Sequence, residues 1–259
     1  MSDARLAARL AQQAGELLLA LRRGDLVGRE LSDAGDEASN ALLLRELGTH
    51  RPDDAVLSEE SADAPARLSQ DRVWIVDPLD GSREFGIPGR SDWAVHVALW
   101  QAGRGITAAA VAVPELDAVY VSDDAPRDVS QRRNAVLVSD TRPPAFAADV
   151  AAVIGAELEP MGSAGAKAMA VLRGEAAAYL HAGGQWEWDS AAPVGVALSA
   201  GLHASRIDGS ALRYNSAHPY LPDLLICAPE LAGPLLTAIA AHPTQVAAPR
   251  PGFTSRDRG

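Results

Sequence analysis

A run of apolar residues, Val73-Trp74-Ile75-Val76, ends abruptly in Asp77-Pro78-Leu79-Asp80-Gly81-Ser82, and this junction restricts the chain more than any other. A short uninterrupted run of branched and aromatic residues reads as a strand. Two carboxylates three positions apart then have to lie where that strand meets a loop, because a bare charge buried without a partner is too costly to keep. Pro78 fixes one backbone angle between the two aspartates, and Gly81 lets the N–H groups that follow approach an anion closely. Taken alone, the pentapeptide from Asp77 to Gly81 is equally an ordinary tight turn made of turn formers. Converging carboxylates, a carbonyl and a hydroxyl also suit a hard cation such as magnesium, which keeps positions open for water and phosphate.

Two further acidic segments bear on that choice. Val56-Leu57-Ser58-Glu59-Glu60 ends a second apolar run in paired acids, and in Trp186-Glu187-Trp188-Asp189-Ser190 an aspartate opens a helix. Each has a plainer reading by itself, a solvated acidic turn and a helix N-cap respectively. The formal charge of −11 and pI near 4.9 oppose a nucleic-acid scaffold, which would carry a basic stripe. A bound cation reconciles such acidity with an anionic substrate. With 259 residues, 47% of them hydrophobic, the chain can bury a sizeable core as one large domain or two packed halves. Its single cysteine, Cys227, excludes an intrachain disulfide and a zinc cluster and fits a reducing compartment or indifference to redox state. The amino terminus has no secretory signature, and the uncharged run 231–249 is broken by Gly-Pro and His-Pro, so a cytoplasmic protein without a membrane span is expected.

Leu6, Leu10, Ala14, Leu17 or Leu18 and Leu21 recur at helical spacing, which predicts a helix over 3–23, and a second is expected over 36–47 with Gly48 stopping it. Strands are expected at 55–57, 73–76, 93–99, 106–113 and 118–121, in a largely antiparallel sheet with hairpins at 103–105 and 114–117. Polar residues 126–133 mark a soft boundary. Beyond it come a strand at 134–139, helices near 144–154 and 163–173, a strand at 176–181, a helix at 189–200 with Pro193 in its first turn, a strand at 224–227 and a helix at 230–241. The chain thus divides into an N-terminal α+β half (1–125) with most acidic candidates, a C-terminal α/β half (133–242) with Asp189, and a tail (243–259) expected to be disordered.

The order Glu-Glu, Asp-Pro-Leu-Asp-Gly-Ser and, about a hundred residues later, Trp-Asp resembles the metal-site signature of the inositol monophosphatase superfamily. That resemblance spans roughly residues 5–242. It implies a layered αβαβα sandwich binding two or three magnesium ions. It makes Glu59, Asp77 and the Leu79 carbonyl ligands of one ion, and Asp77, Asp80 and Asp189 ligands of a second, with Asp77 bridging. Asp36 matches the family's early aspartate, which holds a third metal or its water and approaches the hydroxyl supplied here by Ser82; by itself it reads as a helix N-cap or first-turn acid. The family's Thr-x-x-Asp pattern is absent, since Leu31-Ser32-Asp33-Ala34-Gly35 precedes it. The implied reaction is attack on phosphorus by a water oriented by Glu59 and the Asp36–Ser82 pair, with Gly81 and Ser82 N–H groups donating to the phosphate. No phosphoenzyme and no histidine base are required, and no histidine neighbours the acidic motifs in sequence.

Substrate choice rests on other residues. Arg83-Glu84-Phe85 and Ala164-Gly165-Ala166-Lys167 resemble segments of CysQ-type 3′(2′),5′-bisphosphate nucleotidases, which remove the 3′-phosphate of 3′-phosphoadenosine 5′-phosphate in sulfate assimilation. A helix starting near Ser163 would offer free N–H groups to a phosphate, and Lys167 a charge to the second one; alone, Lys167 reads as an exposed helix lysine. Trp186 and Tyr214 are candidate stacking surfaces, with core packing the plainer role of the tryptophan. Arg206 and Arg213 flank a loop that could enter the site, or stay on the surface. A small phosphate ester is the expected partner, and the family implies a monomer or homodimer. Inositol phosphate, fructose 1,6-bisphosphate and histidinol phosphate remain alternative substrates. A module that has lost catalysis is disfavoured because every acidic position is filled, and an aspartyl-phosphate phosphatase would need its two aspartates two apart.

Overall fold

The computed structural model describes residues 1–124 and 132–242; most of the 126–133 boundary and the tail from 243 lie outside them. The first sheet is built from β1 (Ala55–Ser58), β2 (Arg72–Asp80), β3 (Ala94–Gln101), β4 (Gly105–Val113) and β5 (Ala118–Val121), in that spatial order. Only the β1–β2 pair is parallel; the others are antiparallel, as the short hairpins require. The second sheet has the order β7 (Glu157–Met161), β6 (Ala135–Ser139), β8 (Ala178–Trp186), β10 (Tyr220–Cys227), β9 (His203–Ser205).

Both faces of the first sheet are covered, which explains the continuous apolar run in β2. Successive side chains of a strand point to opposite faces. Trp74 and Val76 enter the core shared with α1 (Asp3–Arg22), while Val73 and Ile75 enter the core shared with α5 (Ala164–Leu172) and α6 (Glu187–Ser199). α1 lays its stripe of Leu6, Leu10, Ala14 and Leu18 on β3 and β4, with α2 (Gly28–His50) beside it. The other side of α5 and α6 meets the second sheet through Leu137, Tyr179, Leu224 and Ile226. The outer face of that sheet is closed by α4 (Ala147–Val153) and α7 (Pro229–Ala240) through Val150, Leu235 and Ile239. The result is the expected layered αβαβα sandwich, with α5 and α6 as its central layer.

Three expectations change. α2 begins eight residues before Asp36, runs through Gly48 and ends only at His50. Gly35 lies inside it because a Cβ there would stand 2.9 Å from Phe85 and 3.0 Å from Leu79, so its absence permits α2 to press against the end of β2. Pro193 sits in the second turn of α6, where it cannot donate to the carbonyl of Asp189. The two edge strands β7 and β9 and the four-residue helix α3 (Ser82–Phe85) come in addition to the expected elements.

Candidate active site

The β2–β3 ladder breaks at the aspartates. Asp77 pairs with His96 and Asp80 with Ala94, so one extra residue bulges between them. Pro78 has no N–H to give to a ladder and belongs in such an interruption. Its carbonyl is taken by Ser39 of α2 at 2.7 Å, and Asp77 Oδ1 accepts the N–H of Leu79 at 3.1 Å. The bulge turns Asp77 and Asp80 toward the N-terminus of α6, where Asp189 stands. One oxygen from each of the three carboxylates lies within 4.8 Å of the others.

Such crowding of like charges shows in their acidities. Burial, followed by the charges of Glu59, Asp80, Asp189 and Asp36, pushes Asp77 well above the usual carboxylate range. Burial and then Asp80 raise Asp189 to about 6. At Asp80 burial also acts upward and strongly. It is outweighed by the charge of His96 beside it together with hydrogen bonds from Ser163 and Gly165, which bring that carboxyl down to about 2. Asp77 Oδ2 is buried without a hydrogen-bond partner among the described residues, and a buried polar atom left unpaired is costly. Three converging carboxylates, one with an orphaned oxygen, match the donor set of a hard divalent cation.

Around this cluster each expected residue has a definite place. Asp36 is not a cap but an interior residue of α2, 5% exposed. Ser82 Oγ lies 3.1 Å from Asp36 Oδ1 and 3.0 Å from the Leu79 carbonyl, so its single proton serves one acceptor at a time. Gly81 holds φ +88°, and a Cβ there would meet the Asp92 carbonyl and Ser163 at 3.1 Å. Glu59, one residue past β1, lines the cavity over the carboxylates together with Gly81, Ser82, Ser163, Lys167 and Asp189. That cavity measures about 550 Å³. Asp189 also does the work of a capping residue, its Oδ2 accepting the Trp186 N–H at 2.5 Å.

The N-terminus of α5 differs from expectation. Its amides are engaged: Gly165 N donates to Asp80 Oδ2 at 2.7 Å and Ala166 N to Ser163 Oγ at 2.9 Å, while Ser163 Oγ donates to Asp80 at 2.5 Å. Lys167 is 3% exposed, and its ammonium donates to the carbonyls of Met161 at 3.3 Å, Ser163 at 2.9 Å and Gly162. Burial lowers it to about 8 against the pull of nearby carboxylates, Asp80 first. Trp186 lines the cavity, whereas Tyr214 packs against the central core and pairs with Ser190; Tyr179 and Tyr220 also line the cavity, Tyr220 edge-on against Trp186 at 5.7 Å between ring centres. Arg206 forks onto Asp223 at 2.6 and 2.7 Å, and neither it nor Arg213 lines the cavity.

A histidine does reach the acidic motifs in space. His96 of β3 is fully buried, with Nδ1 3.0 Å from the Trp188 carbonyl and Nε2 3.2 Å from Asp80. It spans from one metal-ligand candidate to the residue preceding another. Its place in the ladder opposite Asp77 is the signal a strand alignment would have given.

Fold and site together define a class of metal-dependent phosphatases: the chain belongs to the inositol monophosphatase family, whose sequence model matches residues 3–244. Among its relatives, the 3′-phosphoadenosine 5′-phosphate phosphatase of Mycobacterium tuberculosis is 55% identical over 241 residues, 88% of this chain and 89% of that one. The CysQ 3′(2′),5′-bisphosphate nucleotidase of Escherichia coli is 30% identical over 234 residues, 82% and 94% of the two chains. Inositol monophosphatase II of Staphylococcus aureus shares the fold with a TM-score of 0.77 at 20% identity, covering 93% of this chain and 97% of its own. Among the described residues no helix is long and apolar enough to cross a membrane.

Proposed function

We propose that this phosphatase removes the 3′-phosphate of 3′-phosphoadenosine 5′-phosphate, giving AMP and inorganic phosphate, and so clears a by-product of sulfate assimilation. The observation that carries the reading is the meeting of Asp77, Asp80 and Asp189 under one cavity, in a chain more than half identical to phosphatases named for that substrate. The volume suits a nucleotide-sized ligand. Asp77 and Asp80, with Glu59, the Leu79 carbonyl and Asp189, would hold two or three magnesium ions. When bound, magnesium supplies charge neutralisation and Lewis acidity to the phosphate oxygens and makes water more acidic.

The protein's own groups do the rest. Ser82 Oγ, fixed between Asp36 and the Leu79 carbonyl, orients the attacking water in line with the leaving oxygen. Glu59 on the cavity wall and Asp36 behind Ser82 are the carboxylates placed to guide it and take its proton. The Lys167 ammonium ties the 161–163 turn, which keeps Ser163 on Asp80. Gly81 keeps the turn open above the bulge for the phosphate.

The test is phosphate release with magnesium from 3′-phosphoadenosine 5′-phosphate, adenosine 3′-phosphate, inositol 1-phosphate and fructose 1,6-bisphosphate, with chelator controls. A specificity constant at least tenfold higher for the bisphosphate nucleotide, abolished by chelator, is the expected result. Equal rates on inositol phosphate would make the chain a general monophosphatase.

A further inference from the structure

Among the described residues three cavity-lining side chains carry a formal positive charge, Arg83, Arg142 and Lys167, and two are already committed. Lys167 is spent on three backbone carbonyls and lies over the Tyr179 ring, 4.9 Å from its centre. Arg83 is forked onto Glu84, with Nε at 2.8 Å and Nη2 at 2.5 Å from Oε1, and also pairs with Asp140. The Arg142 guanidinium differs: it is exposed, and it makes no hydrogen bond or ion pair with any described residue. Its charge is nonetheless felt inside the site, at Tyr179, His181 and Asp189.

The loop that bears Arg142 is fixed even though the side chain is not. Ser139 Oγ, at the end of β6, accepts the Arg142 N–H at 3.2 Å. Asp140 is held by Arg83 and, at 3.2 Å, by Arg90. Arg90 in turn grips Asp92, whose Oδ2 accepts the Gly162 N–H at 2.7 Å. One chain of ion pairs therefore joins the 139–142 loop to the segment after β2 and to the turn before α5. It sets the backbone of Arg142 at the cavity rim and leaves its guanidinium uncommitted.

A bisphosphate brings two dianionic groups into this cavity. The scissile one is matched by the carboxylate-held cations; the other gains nothing from them and meets a wall that also contains Glu84 and Asp140. An uncommitted guanidinium offers two parallel N–H donors to phosphate oxygens, a geometry lysine cannot reproduce. We propose that Arg142 is the specificity-determining residue for the second, non-scissile phosphate of the substrate. The proposal rests on the bisphosphate nucleotidase reading above and replaces Lys167 in the role first expected of it.

The experiment compares wild type, Arg142→Ala and Arg142→Lys on 3′-phosphoadenosine 5′-phosphate and on adenosine 3′-phosphate. The two share the scissile ester and differ only in the 5′-phosphate. A hydrogen-bonded charge pair contributes about 1.5–3 kcal/mol, so the ratio of the two specificity constants should fall by about 10- to 100-fold in Arg142→Ala. The loss should lie in KM for the bisphosphate rather than in kcat, with partial recovery in Arg142→Lys, and equal thermal midpoints report that the variants are folded. If wild type discriminates between the substrates but Arg142→Ala keeps the same ratio, the assignment is overturned while the nucleotidase reading stands. A parallel fall on both substrates also overturns it, placing Arg142 at the scissile phosphate or in the fold. A wild type indifferent to the 5′-phosphate overturns the nucleotidase reading and the inference with it.

Discussion

Asp189 carries two duties that a single substitution can separate. Its Oδ2 caps the Trp186 N–H at the start of α6, and the same carboxylate is the third corner of the cluster with Asp77 and Asp80. Asparagine keeps an oxygen for the cap but removes the charge a cation needs. Asp189→Asn should therefore stay folded, within about 1 kcal/mol of wild type at about pH 4.5, where the native carboxyl still holds its proton, and lose about a thousandfold or more in kcat at neutral pH and saturating magnesium. Phosphate release beside a urea melt checks both halves, and turnover near wild type would remove Asp189 from the metal site. The three aspartates were legible in the sequence because Asp77 and Asp80 end an apolar strand and Asp189 opens a helix, patterns local to a few residues. His96 was not, since a histidine at one position of an apolar strand carries no mark of its contact. Only the β2–β3 register, shifted by the bulge, puts it 3.2 Å from Asp80. The cavity's uncommitted arginine was hidden for a related reason: whether a cation is engaged depends on neighbours fifty or more residues away, as Arg83 and Asp140 show.

At the level of elements, helix positions followed apolar periodicity, and α1, α5 and α7 end within one residue of the expected bounds, but α2 does not. Gly48 reads as a stop because glycine is a poor interior residue, at a cost of about 1 kcal/mol relative to alanine, and the expected start at 36 leaves Gly35 outside the helix. Gly35 is nonetheless interior, for the sake of contact with Leu79 and Phe85. β7 and β9 escaped notice because they are short edge strands; β7 faces solvent along much of its length, so no apolar alternation announces it. Close approach also governs α5, where a Cβ on Gly165 would overlap His96 Nε2 and stand 3.1 Å from Ala94 Cβ. Alanine there gains helix propensity of about 1 kcal/mol but overpacks a site that is closed on every side, which costs about 1–3 kcal/mol. The overlap with His96 decides the balance. Gly165→Ala should destabilise by about 2 kcal/mol and weaken the N–H bond from residue 165 to Asp80. His96→Ala removes the obstructing ring, so the double variant should be more stable than the sum of the two single losses predicts, by about 1 kcal/mol or more. Strict additivity in urea denaturation would show that α5 does not press on His96.

Across the whole molecule, part of the acidity that the composition announces is gathered under one cavity, and its effect on stability depends on pH and on magnesium together. Without a cation, Asp189 keeps its proton up to about 6, where an unfolded aspartate would have released it near 3.8; Asp77 is displaced the same way. The folded chain then binds more protons than the unfolded one, so this contribution to stability is fully present below the unfolded value and is lost as pH rises through about 6. For Asp189 the loss is about 3 kcal/mol. His181 acts in the opposite sense: burial lowers it to about 4, so the unfolded chain is the better proton binder between that value and 6.5, and stability rises there. The two trends oppose each other over nearly the same interval, and the pH profile of the metal-free protein alone is not diagnostic. The difference made by magnesium is, because a cation competes with protons at Asp77 and Asp189, which belong to the carboxylate cluster, whereas His181 does not. Thermal midpoints in magnesium minus those in chelator should be within about 1 °C of zero at pH 4.5. They should grow through pH 6 to about 5–10 °C at pH 7.5, the size expected when about 3 kcal/mol is recovered in a chain of this length. A magnesium increment of equal size at both ends of that range would mean that the cation binds away from the coupled aspartates.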